Sequence, residues 1–164
     1  MLAIKNFKNQ LRIIFMDRIK LKEKIESVFN DIGIKYEIID LHDDDLNFSI
    51  NVDGSRILNG IGLLDVLIFF KTDIPRCTLL CSNIRKFSNN EVQRAKEIAS
   101  SINSKLHIGK VEILEDPMQL VYVNSKKLLD FAEIEKSIIE EMISSLQIAI
   151  ILIYSEIKRY TNEK

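Results

Sequence analysis

The stretch Ile102–Leu129, INSKLHIGKVEILEDPMQLVYVNSKKLL, decides the fold. A helical pattern runs into it, with Val92, Ala95, Ile98, Ala99 and Ile102 spaced to form one inner face. Ser88-Asn89-Asn90-Glu91 opens that helix as a capping box, in which Ser88 accepts the amide at Glu91 and the Glu91 carboxylate reaches back to the Ser88 amide. Asn103 and Ser104 close it. The segment Lys105–Glu115 then enters a strand, Asp116-Pro117 turns the chain, and Met118–Ser125 pairs back as a hairpin. Gly109, at the strand entry, predicts a bulge or a close backbone approach. No nucleophile elbow, phosphate-cradling glycine run or metal-ligand spacing interrupts the stretch, so it reads as architecture.

Upstream, Asp17–Gly33 places Leu21, Ile25, Val28, Phe29 and Ile32 at helical spacing, with Gly33 suited to the left-handed position that ends helices. Leu46, Phe48, Ile50 and Val52 alternate with polar residues, the period of a strand buried on one face. Tyr36–Leu41 is its hairpin partner, and His42–Asp45 forms the turn. A glycine-containing loop, Gly54–Gly62, leads to Leu63–Thr72, whose apolarity on both faces predicts an inner strand covered on both sides. Asp73–Arg76 turns the chain and Cys77–Ile84 returns it. From Asp130 to Tyr160 the pattern predicts one helix of about 46 Å, at 1.5 Å per residue.

Strand connections outside the helices are all hairpin-like. The expected fold is therefore α+β: an antiparallel sheet of five or six strands, with helices at the N-terminus, between the strand groups, and a long one at the C-terminus. Residues 1–19 form a basic extension or helix and residues 20–164 a single domain. The apolar fraction of 46% and charged fraction of 29% suit a folded domain rather than a disordered chain. With 23 Lys plus Arg against 24 Asp plus Glu, the net charge of −1 supplies no electrostatic footprint for wrapping nucleic acid. Cys77 and Cys81 are too few for a disulfide scaffold and read as reduced, packed thiols, which points to the cytoplasm. Met142–Ser155 is free of charge, but at 14 residues it is shorter than a span of about 20 residues and reads as buried core, not a membrane insertion.

The segment Ala95–Leu129 resembles the YbjN-like bacterial proteins, which share the fold of type III secretion chaperones. The likeness lies in a helix that reaches an asparagine, here Asn103, a glycine a few residues later, here Gly109, then a two-strand hairpin and a long C-terminal helix. The order of elements extends the resemblance to most of the chain from about Lys20. It implies a non-enzymatic chaperone-like or regulatory protein, dimeric, with no catalytic residues to carry over.

Candidate sites for chemistry have plainer readings. His42 with Asp43, Asp44 and Asp45 lacks the alternating oxygen ligands and distant bidentate carboxylate of a calcium loop, and reads as a solvated turn. Cys77, Cys81, His42 and His107 match no zinc spacing. A Cys–His pair would need an activating environment. Gly54, Gly60 and Gly62 precede a strand, not the helix N-terminus a phosphate site uses. No metal, cofactor or catalytic residue is assigned.

The C-terminal helix is the most informative segment. Phe131, Ile134, Ile138, Met142, Ala149, Leu152, Ile153 and Ile157 form a broad core stripe. Ile143, Ile148, Ile151 and Tyr154 fall outside it, and a helix apolar nearly all round must be buried all round. These four are the candidate self-association or partner surface, the alternative being cover by residues 1–20 of the same chain. The expected function is that of a cytoplasmic, homodimeric, chaperone-like or regulatory adaptor binding a protein or peptide client along the apolar sheet or a free strand edge. The alternatives are a small-ligand sensor with a pocket between the sheet and the 54–64 loop, an enzyme using Cys81 or His107, and a membrane-surface role for residues 1–15.

Overall fold

The computed structural model describes residues 18–39, 45–71 and 75–162. Its first helix, α1, runs over 18–31. Gly33, at φ 70°, ends it: the Ile34 amide donates to the Phe29 carbonyl (2.9 Å) and the Gly33 amide to that of Asn30 (3.1 Å). This is the paired hydrogen bonding of a Schellman cap, which only a left-handed residue at this position closes without strain. The chain leaves the cap into β1 (Tyr36–Ile39), followed by β2 (Leu46–Asp53), β3 (Leu63–Lys71) and β4 (Arg76–Lys86). Helix α2 (Val92–Asn103) leads to β5 (Lys110–Glu115), β6 (Met118–Lys127) and the long helix α3 (Lys136–Asn162).

The six strands form one sheet in the order β1-β2-β3-β4-β6-β5, with every pair antiparallel. Alternation divides them into two faces. Phe48 and Ile50 of β2, Val66, Ile68 and Phe70 of β3, Cys77, Leu79 and Cys81 of β4, Leu120 and Tyr122 of β6 and Val111 of β5 belong to one core cluster. The helices supply its other side through Ile25 and Phe29, Ile98 and Ile102, and Ile139, Met142, Leu146, Ile150 and Ile153. Full burial of each such side chain stabilises by about 1.5–3 kcal/mol relative to exposure. Phe29, Phe48 and Phe70 meet edge to face around Phe48, with centroids 5.2 and 6.0 Å from it, a geometry that places ring edges on ring faces.

The expected architecture holds, with three differences. The C-terminal helix begins at Lys136, not Asp130. The Asp130 carboxylate accepts the Ala132 amide at 2.6 Å, a short 3-10 turn follows over Phe131–Glu133, and Ile134 is extended with ψ 102°. Local side-chain capping of the backbone thus outcompetes helix propagation there. The core stripe of α3 is also rotated from the expected phase: Ile139, Leu146 and Ile150 are fully buried, while Ile138, Leu152 and Ile157 are flanks. Finally, β3 is not covered on both sides by described elements. Leu67 and Phe69 lie outside the core cluster, because the three described helices pack on the opposite face. Within β1, the strand ends at Ile39, and the expected turn residues 42–44 lie outside the described residues, as do the extension 1–17 and the 72–74 connector.

The opening stretch fits its reading closely. The capping box at Ser88 is formed, with the Ser88 amide donating to the Glu91 carboxylate at 3.0 Å. The Asn103 side chain pairs with edge strand β5: its Nδ2 donates to the Val111 carbonyl (2.9 Å) and its Oδ1 accepts the Val111 amide (2.7 Å). Gly109, at φ 73°, carries no Cβ because that atom would enter the Tyr122 ring. The close approach, rather than the bulge, is the correct half of the expectation. It lets the Tyr122 hydroxyl sit 3.1 Å from the Ile108 carbonyl and 2.9 Å from Ser145 Oγ, which also accepts Asn124 Nδ2 at 2.9 Å. These buried polar groups fix how α3 sits on β6, since each would be costly to strand without a partner. Glu156, at the other end of α3, is buried beneath Lys105 of the α2–β5 link and Arg159.

Candidate interaction surfaces

Helix phase separates the four residues expected on a partner surface of α3. Ile148 and Ile151 point into solvent, 58% and 46% exposed. One turn apart, they form a small apolar patch. Ile143 is half-buried and, with Gln147, lines a cleft of about 500 Å³ against Ile34, Val52 and Arg56. Tyr154 packs on the core, and its hydroxyl donates to the Ile84 carbonyl at 3.4 Å. That carbonyl sits in a bulge of β4, where four residues from Cys81 to Arg85 span two on β6. The alternative cover by residues 1–20 falls almost wholly outside the described residues.

By length and composition alone α3 could cross a membrane, its most apolar window having a mean hydropathy of 1.6. Its Met142, Leu146, Ala149, Ile150 and Ile153 are instead packed into the core.

Among the described residues, those considered for chemistry are not brought together. Cys77 and Cys81 share β4 and both face the core, Cys77 with its Sγ 3.5 Å from Met142 Sδ. Burial pushes both thiols up to about 12, so each stays protonated, and hence weakly nucleophilic, at neutral pH. His107 is exposed on the link before β5. Among the described residues no group of three or more His, Cys, Asp or Glu side chains could hold a metal ion.

The larger surface is the second face of the sheet. Register aligns it in rows that cross the strands. Leu67 stands opposite Leu80, and Leu80 opposite Val123. In the next row Phe69 stands opposite Thr78, and Thr78 opposite Ser125. Leu67, Phe69, Leu80 and Val123 are each half-buried, and none joins the core cluster. Sequence reasoning does not single out these residues. The signal for them is the two-sided apolarity of β3, which points equally to a covered face and to a face awaiting a partner.

The sheet edges differ from its face. At the β5 edge Asn103 already occupies the outward amide and carbonyl of Val111, while a groove of about 580 Å³ lies between α2 and β5, lined by Lys96, Ala99, Asn103 and Ile113. At the other edge β1 is only four residues long. Short or capped edges give an incoming strand little to pair with.

No protein-family model matches the chain, and no curated protein matches it in sequence. Its backbone is similar to the crystal structure of YbjN, a candidate transcription regulator from E. coli, with a TM-score of 0.55 at 12% identity over 84% of this chain and 92% of YbjN. The six-stranded antiparallel sheet backed on one face by three helices is thus the YbjN-like fold, carried by a very different sequence.

Proposed function

We propose that this chain is a non-enzymatic cytoplasmic adaptor or regulator, homodimeric, that works by binding another polypeptide. The observation that supports the reading is the open sheet face, where a half-buried apolar row crosses three strands with no described element packed on it. Contiguous apolar surface of this kind marks interaction sites more often than solvent-facing structure. The likeness in fold to a candidate transcription regulator favours a regulatory role of a general kind. With a net charge of −1, that regulation is better served by protein contacts than by wrapping nucleic acid. The dimer contact is assigned to Ile148 and Ile151 of α3, 58% and 46% exposed, whose remaining surface would contribute roughly 1.5–3 kcal/mol on burial.

A peptide array of mixed 15-residue segments, probed with the wild type and with Leu80→Ser, tests the binding reading. Binding to a subset of segments, lost in a variant that keeps its thermal transition, is expected; an array blank for both proteins overturns it. Light-scattering mass during gel filtration tests the dimer, with Ile151→Glu expected to convert it to a folded monomer. A monomeric wild type removes the dimer.

The cleft beside Ile143 favours a second reading, a small-ligand sensor. Asp53, the last residue of β2, and Arg56 of the 54–64 loop are paired at 3.5 Å on its rim.

A further inference from the structure

The open face of the sheet carries a third row, beyond the apolar row and the row of Phe69, Thr78 and Ser125. Lys71 of β3 stands opposite Arg76 of β4, and Arg76 stands opposite Lys127 of β6. Strand parity puts all three on the open face, and all three are exposed. Neighbouring strands lie about 4.8 Å apart, so the three backbone positions span roughly 10 Å. Like charges directly opposite each other destabilise a sheet, and a row of three is not explained by the fold. None of the three is in an ion pair among the described residues.

The acids of the same face are differently placed. Glu112 pairs with Lys110. Asp65 of β3 accepts from Asn83 Nδ2 at 3.5 Å and lies six residues from Lys71, on the far side of the apolar row. Glu37 is exposed on the edge strand β1. The unpaired charge needs anions from elsewhere, and the apolar row four residues along each strand needs an apolar stripe at about 13 Å, four times the rise per strand residue, from those anions.

Resting on the polypeptide-binding reading above, we infer that the open face docks an acidic amphipathic segment of another protein, laid across β3, β4 and β6. Its apolar stripe covers Leu67, Leu80 and Val123, and Asp or Glu residues along one side of that stripe meet Lys71, Arg76 and Lys127. A nucleic acid would use the cations and leave the apolar row in water, so a polypeptide fits the face better.

The test is fluorescence anisotropy in 0.15 M salt with two labelled 18-residue amphipathic peptides. Both carry one leucine stripe, bordered by Glu in the first and by Lys in the second. A labelled single-stranded 18-mer DNA is the third probe. The wild type is expected to bind the Glu peptide at least about tenfold more tightly than the Lys peptide, as three rim charges of modest individual effect act together. The triple variant Lys71→Glu/Arg76→Glu/Lys127→Glu is expected to reverse that order. The control Lys20→Glu/Lys96→Glu/Lys158→Glu, equal in charge but on the helices, is expected to keep it.

Equal binding of both peptides, unchanged by the triple reversal but weakened by Leu80→Ser, overturns the acidic partner and leaves the adaptor reading standing. Binding of neither peptide, together with a blank array, overturns both. Tighter binding of the DNA overturns the polypeptide as occupant. A change in light-scattering mass caused by the triple reversal alone overturns it in favour of a second copy.

Discussion

The two faces of this sheet are built from the same six strands, yet they obey different rules. On the helix side Phe48, Ile68, Leu79 and Tyr122 are fully buried, and the few polar groups there are matched to specific partners on α3. On the other side Leu67, Phe69, Leu80 and Val123 are half-buried, and polar residues such as Thr78 and Ser125 (2.9 Å apart) satisfy one another within the sheet. One face holds the fold together, and on the other no described element packs, although Val121 there is only 1% exposed. Alternation within one strand is enough to separate the two roles, since neighbouring residues point to opposite sides.

The sharpest way to break that contrast is to truncate one phenylalanine from each face. Phe48→Ala should cost about 3–5 kcal/mol, because a fully buried ring leaves a cavity among Phe29, Tyr36 and Phe70. Phe69→Ala, on the adjacent strand but the open face, should cost about 1 kcal/mol, since a side chain in partial contact with water leaves no closed cavity. Urea denaturation of both variants checks this, and equal losses would mean that the second face contributes to stability as much as the first. A smaller effect is expected from Asn103→Ala, which leaves the amide and carbonyl of Val111 without their side-chain partner. About 1–2 kcal/mol is expected from two lost hydrogen bonds at a partly open edge. Hydrogen exchange should localise the loss, with Val111 losing protection and Val66 keeping it. The smallest effect has the opposite sign: Arg76→Thr should stabilise by about 0.2–1 kcal/mol, because it removes the middle charge of a like-charged row. A thermal transition that falls instead would mean that the row is supported by interactions within the fold.

Much of the covered face is legible in the sequence, because periodicity and caps are local signals. The alternation of Leu46–Val52, the capping box at Ser88, the helix end at Gly33 and the close approach at Gly109 all follow from short-range rules, and all are formed. The start of α3 departs from its sequence reading for a related reason. Asp130 can cap a short turn as readily as it can begin a helix, and the choice depends on tertiary packing of Ile134. On α3 the broad apolar composition leaves the phase ambiguous, so periodicity groups Ile143 and Tyr154 with Ile148 and Ile151 although they turn toward the core. The open face is the hardest to foresee. Lys71, Arg76 and Lys127 sit at the ends of three strands, the last far from the other two along the chain, and only the register of β4 against β6 brings them into line.

The pairing of Asn103 with Val111 also limits how large an assembly this molecule can build. A bare edge strand invites the next copy to add its own, and the addition has no natural end. Here the side chain of a helix residue takes the place of the first rung, on a strand of only six residues. Copies meeting through the same helix or sheet face about a twofold axis would close as a dimer. They are not expected to grow into fibres along the sheet, whatever the concentration of the chain in the cell.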